Sequence, residues 1–116
     1  MSQLPNHLRS HRKRIALSQS EVAFLMGAHG GAKVCRYERF ARNPSLETAL
    51  AFEVLLQKPA RELFPGLYRK IEKEIAARTK ILIHRMNHEK PGRKTTRRRQ
   101  ALTNIISSES NNLKQS

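Results

Sequence analysis

Apolar positions along the chain recur at spacings of three and four rather than two, and nowhere do β-branched and aromatic residues alternate cleanly between turn signals. The pattern predicts short helices divided by Gly and Pro. A first helix is expected from about Pro5 to Ile15, with Leu4, Leu8 and Ile15 on one face. "LSQSE" then supplies a start signal: Ser18 can cap a helix, and Glu21 three residues later completes a capping box. Val22, Ala23, Leu25 and Met26 give that second helix its apolar side, and Gly27 ends it. A third helix is expected from near Gly31 to Arg39, burying Val34, Tyr37 and the aliphatic stem of Glu38.

"NPS" breaks the pattern, and Ser45 caps a fourth helix whose predicted buried face is Leu46, Ala49, Leu50 and Val54. Pro59 opens a short turn ending in Leu63 and Phe64, and "FPG" closes the unit. Beyond Gly66 a longer helix is expected, with a narrow seam of Leu67, Ile71, Ile75, Leu82 and Met86. "KPGRKTTRRRQ" reads as a flexible linker, either solvated or a nonspecific phosphate-binding arm, with a weak helix around 100–107 and a disordered end.

Charge changes this picture most. The 116 residues hold 23 Lys and Arg against 9 Asp and Glu, a formal net charge of +14. The excess is larger after residue 66, where thirteen basic residues face four acidic ones. Such a surplus repels itself and is best tolerated opposite a polyanion, with nucleic acid ahead of an anionic membrane or an acidic protein. No stretch approaches the roughly 20 apolar residues of a membrane span, and the polar, basic start predicts no secretory signal. Cys35 is the single cysteine, which suits a reducing cytoplasm.

Two short helices around a tight turn can serve a specific purpose. The first braces the second, which lies in the major groove of DNA, where base edges carry distinct donor and acceptor patterns. Gly27, Gly30, Gly31 and Ala32 keep the approach sterically bare, while Lys33, Arg36 and Arg39 recur at threes away from Val34 and Tyr37. Arg36 is the best candidate for reading a base, because Arg bonds guanine through two donors.

Residues 6–66 resemble the XRE family of helix-turn-helix domains, the group of lambda-type and Cro-type phage repressors. The resemblance lies in "LSQSEVAFLMG", then "VCRYERFARNPSLETAL", then "ARELF". It implies an all-α, lambda-repressor-like domain of five helices over 1–66; the chain's own pattern adds a longer helix over 67–89, which the family context makes a candidate dimerisation element, and a basic tail over 90–116. It also implies a sequence-specific, double-stranded-DNA-binding transcriptional regulator, not an enzyme, without cofactor, often a homodimer. Carried over position by position, it gives Gln19 to the DNA backbone and Gly31, Ala32, Lys33 and Arg36 to the bases. Arg39, Arg42 and Asn43 fall to phosphates, and Arg12 and Glu38 form a structural ion pair. Two departures stand out. The segment between Gly27 and Val34 is one residue longer than in the phage repressors, and Phe40 replaces the usual Gly after the recognition helix.

The same residues admit an antitoxin that binds DNA and a partner toxin, or a general nucleic-acid binder driven by charge, though aromatic platforms for single strands are lacking. No nucleophile–base set, phosphate-cradling glycine motif or metal cluster stands out. His84 and His88, four apart, make only a weak zinc signal.

Overall fold

The computed structural model describes residues 5–115, with side chains described over 5–109. Leu4, assigned by sequence to the first helix, and Ser116 lie outside the described residues. Within them the chain is all-α, with seven helices and no strand. They are α1 (Leu8–Arg14), α2 (Gln19–Leu25), α3 (Ala32–Glu38), α4 (Leu46–Leu56), α5 (Ala60–Leu63), α6 (Pro65–Met86) and α7 (Arg93–Gln115). They form two compact units, Met1–Tyr68 and Arg69–Ser116.

The first unit is built around Leu8, Val22, Ala23, Val34, Tyr37, Phe52, Leu56, Leu63 and Phe64, all buried. Phe52 sits at its centre, with Tyr37 and Phe64 edge-on to its ring at centroid distances of 6.0 and 6.1 Å. Burying such a side chain is worth about 1.5–3 kcal/mol, so these rings carry much of a small core. His7 N–H donates to the Leu63 carbonyl at 2.8 Å, joining the start of α1 to the end of α5.

The first three helices end alike. After α1, Ala16 N–H bonds the Lys13 carbonyl and Leu17 N–H the Arg12 carbonyl; after α2, Gly27 bonds Phe24 and Ala28 bonds Ala23. After α3, Phe40 bonds Tyr37 and Ala41 bonds Arg36. Each is a Schellman closure that needs one left-handed residue, supplied by Ala16 (φ 60°), Gly27 (φ 79°) and Phe40 (φ 63°). Phe40 therefore takes the backbone conformation of a glycine despite its side chain.

Three expectations are corrected. On α4 the buried residues are Phe52 and Leu56, with Ala49 partly buried, while Leu46, Leu50 and Val54 are 76%, 49% and 72% exposed. "LETALAFEVLL" is apolar nearly all round, so periodicity alone does not choose its inner face. Pro65 is not a simple stop: it opens α6, where its missing N–H is harmless in the first turn, and the first unit runs on to Tyr68. The segment expected to be a flexible linker and tail is instead helical from Arg93 to Gln115.

In the second unit the buried residues are Ala76, Thr79 and Met86, while Ile71, Ile75 and Leu82 of the expected seam are exposed. On α7, Thr95, Arg99, Leu102, Ile106 and Glu109 form a half-buried row at helical spacings. Two bonds fasten α7 to the end of α6. Arg99 donates to the Met86 carbonyl at 3.3 Å and to Asn87 Oδ1 at 3.1 Å. Pro91 and Gly92 thus mark a helix–helix turn, which composition alone does not separate from a linker.

Candidate nucleic-acid interface

Helix α2 begins with the capping box the sequence predicts. Ser18 Oγ accepts the Glu21 N–H at 3.0 Å, and Glu21 Oε1 accepts the Ser18 N–H at 2.8 Å. Those bonds hold the Glu21 carboxyl below its usual pKa. Between α2 and α3, Gly27 and Gly30 both adopt positive φ. Gly31 has a different task. A Cβ there would lie 3.0 Å from the Gln19 Cβ and 3.1 Å from the Ser20 nitrogen, so the start of α3 rests directly on the start of α2. Gly31, expected among the base-facing positions, is half-buried with its α-carbon against α2.

Helix α3 has two distinct sides. Val34, Tyr37 and Glu38 are buried, whereas Ala32, Lys33, Arg36 and Arg39 are exposed. Because α3 packs on both α1 and α2, this outward row is fixed by the burial of the opposite row. Arg42 and Asn43 are exposed just beyond the Phe40 turn. Four of the predicted cations, Lys33, Arg36, Arg39 and Arg42, therefore face solvent between residues 33 and 42.

Behind α3 lies a charged brace. Arg12 Nε donates to Glu38 Oε2 at 2.6 Å, Nη2 to Oε1 at 3.0 Å, and Nη1 to the Leu17 carbonyl at 2.9 Å. The bonds to Glu38 raise the Arg12 pKa further, against the opposing effect of burial. Gln19 Nε2 adds a bond to Glu38 Oε1 at 3.1 Å. Gln19, expected at the DNA backbone, is half-buried with its amide turned to Glu38. Three helices thus meet on one carboxylate: α1 through Arg12, α2 through Gln19 and α3 through Glu38 itself.

An open basin of about 650 Å³ borders this brace, lined by Arg9, Arg39, Ser18, Ser20, Gln19 and Cys35 together with the ion pair. Arg9, Ser20 and Cys35 were not singled out by sequence reasoning. Arg9 carried a usable signal, since it precedes Arg12 by one helical turn and so shares its side of α1. Ser20 and Cys35 carried none, because a helix start and a lone thiol look alike in any context.

Among the described residues no three His, Cys, Asp or Glu side chains converge as metal ligands. His84 and His88 stand edge to face at 6.3 Å. No helix of the described residues is long and apolar enough to cross a membrane. No protein-family description, curated protein or solved structure matches the chain.

Proposed function

We propose that this chain is a sequence-specific DNA-binding protein, a lambda-repressor-like helix-turn-helix regulator of transcription that acts in the cytoplasm without catalysis. One observation carries the reading: Lys33, Arg36 and Arg39 stand exposed along α3 while Val34, Tyr37 and Glu38 anchor it from behind. A helix braced in this way can enter a major groove without losing its own packing. Arg36 and Lys33 read base edges, and Arg39 and Arg42 engage phosphates and set register. Arg9, at the rim of the basin beside Arg39, joins them as a backbone contact. A homodimer reading two half-sites requires its two recognition helices about 34 Å apart, one turn of duplex, and the exposed Ile71, Ile75 and Leu82 of α6 are the candidate pairing residues. Selection of bound sequences from random duplex DNA tests the reading. Enrichment of a defined motif, with weaker binding to its scrambled version, is the expected result; recovery of no motif would remove the claim of specificity.

A second reading keeps the DNA surface and makes the chain an antitoxin that also holds a toxin. The exposed Leu46, Leu50 and Val54 on α4 favour it, because an apolar row of that kind is more often covered than left in water. A partner protein encoded beside this chain and co-purifying through that row distinguishes the two.

A further inference from the structure

The α2–α3 surface leaves the densest cluster of charge in the chain unexplained. Between residues 84 and 99 seven Lys and Arg face one carboxylate, Glu89. The structure sorts them by task. Arg98 pairs with Glu89 at 2.9 Å and Arg99 holds Asn87 and the Met86 carbonyl, both from half-buried positions. These two arginines close the turn between α6 and α7. Arg85, Lys90, Arg93, Lys94 and Arg97 are exposed, and their side chains make no hydrogen bond or ion pair among the described residues.

The placement of the last three opposes the stability of their own helix. The start of a helix is its positive end, which favours carboxylates and disfavours cations. Helix α7 has no acidic residue in its first turn and places Arg93 and Lys94 there. Arg97 follows Arg93 by four residues, so the two like charges are neighbours on one face. The turn that presents them is ordered, with Thr95 Oγ1 donating to the Lys90 carbonyl at 3.1 Å and Thr96 Oγ1 to the Gly92 carbonyl at 2.9 Å. Charges set against a dipole and against one another become favourable when a polyanion lies beside them.

We propose that the hairpin turn, through Lys90, Arg93, Lys94 and Arg97, is a second, sequence-independent binding site for the phosphates of duplex DNA. This rests on the reading of the chain as a DNA-binding protein and adds a contact that α3 does not provide. Nothing in the cluster fixes the orientation of these four side chains, so they supply affinity and salt dependence, not base discrimination. A membrane partner is disfavoured, since residues 87–99 offer no large apolar side chain to insert into lipid. The same stretch has no aromatic residue other than His88 on which single-stranded bases could stack.

The test compares the full chain with R93Q/K94Q/R97Q and with the charge-keeping R93K/K94R/R97K, on the selected duplex and on a scrambled one, across a salt series. Each phosphate contact contributes about 0.9 to the slope of log affinity against log salt. The glutamine variant should lose about 2.7 in slope on both duplexes, equal to roughly forty-fold less weakening between about 50 and 200 mM salt. Its ranking of the two sequences and its helical circular dichroism should stay as in the parent, and the charge-keeping variant should keep the parental slope. A parental slope in the glutamine variant, with the parent still binding DNA, overturns the site and leaves the α3 reading intact. Failure of the parent to bind any duplex overturns both. Binding of the parent, but not of the glutamine variant, to phosphatidylserine vesicles or single-stranded RNA in that case would assign the turn to a different polyanion.

Discussion

Arg12 and Glu38 lie 26 residues apart in sequence, and a 2.6 Å ion pair joins them beneath the helix that carries Lys33 and Arg36. Their side chains are 12% and 3% exposed, so neither charge can be left alone cheaply. Gln19 bonds the same carboxylate, and the orientation of α3 against α1 and α2 depends on a buried group that has to stay paired.

Removing one member of this pair should therefore cost far more than removing both. Arg12→Met alone leaves a buried carboxylate and should destabilise the first unit by about 3–5 kcal/mol. The double variant Arg12→Met/Glu38→Leu should recover much of that loss, because no lone charge remains. Denaturant melts of the two single variants and the double variant measure the coupling, and additive losses would rule out a directly coupled pair.

On the proposed DNA-binding surface, Arg36 and Arg42 should behave differently. Arg36→Ala should lower affinity for the preferred duplex by about 1–3 kcal/mol and flatten the ranking among sequences. Arg42→Ala should weaken binding to every duplex alike and reduce the salt slope by about 0.9. Titrations on preferred and scrambled duplexes separate these outcomes, and equal losses on both duplexes for both variants would contradict the division of roles.

Phe40 closes α3 with a φ of 63°. A side chain in that region costs roughly 1–2 kcal/mol relative to Gly. Phe40→Gly and Phe40→Ala both lose the half-buried ring, but only Gly relieves the backbone. The glycine variant should therefore be the more stable of the two by about 1 kcal/mol in thermal or urea melts. An alanine variant of equal stability would mean that the closure carries no strain.

His11 is buried on α1, and burial pushes its pKa below the ordinary imidazole value. Arg14 and Lys58 lower it further, and Glu62 opposes them in part while His7 adds a small lowering. A histidine with a lowered folded pKa favours the folded state fully above its unfolded value, near 6.5. That contribution is lost as pH falls through the folded value, since the unfolded chain takes up the proton more readily. The melting temperature should thus fall as pH drops below about 6.5, and His11→Gln should remove that dependence. Glu21, held low by Ser18, acts only nearer the carboxylate range and leaves the His11 window clear. A parent and a glutamine variant with superimposable profiles between pH 7 and 5 would count against this assignment.

Gly31 tests the contact between α2 and α3. Gly31→Ala places a methyl group 3.0–3.2 Å from Gln19 and the Ser20 nitrogen, and should destabilise by about 1–3 kcal/mol. It should also weaken DNA binding, since α3 has to move to make room. An alanine variant with parental stability and binding would show that α2 yields without cost.

The sequence alone determined the local features of this protein. Ser18–Glu21, Ser45 and Gly27 are short-range signals whose effect needs only neighbouring backbone, and the helices they bound lie close to where they were predicted. The two sides of α3 were also legible, because Val34 and Tyr37 alternate with Lys33 and Arg36 at helical spacing. Tertiary structure decided what a one-dimensional pattern leaves degenerate. Helix α4 is apolar on nearly every side, so only packing against the core chose Phe52 and Leu56 over Leu46 and Val54. Gly31 lies against α2 and Gln19 bonds Glu38, placements that no local pattern reveals, since the close approach of two helices depends on the whole domain. Residues 93–115 are helical with Leu102 and Ile106 half-buried, and such burial is supplied by tertiary neighbours that local composition does not reveal.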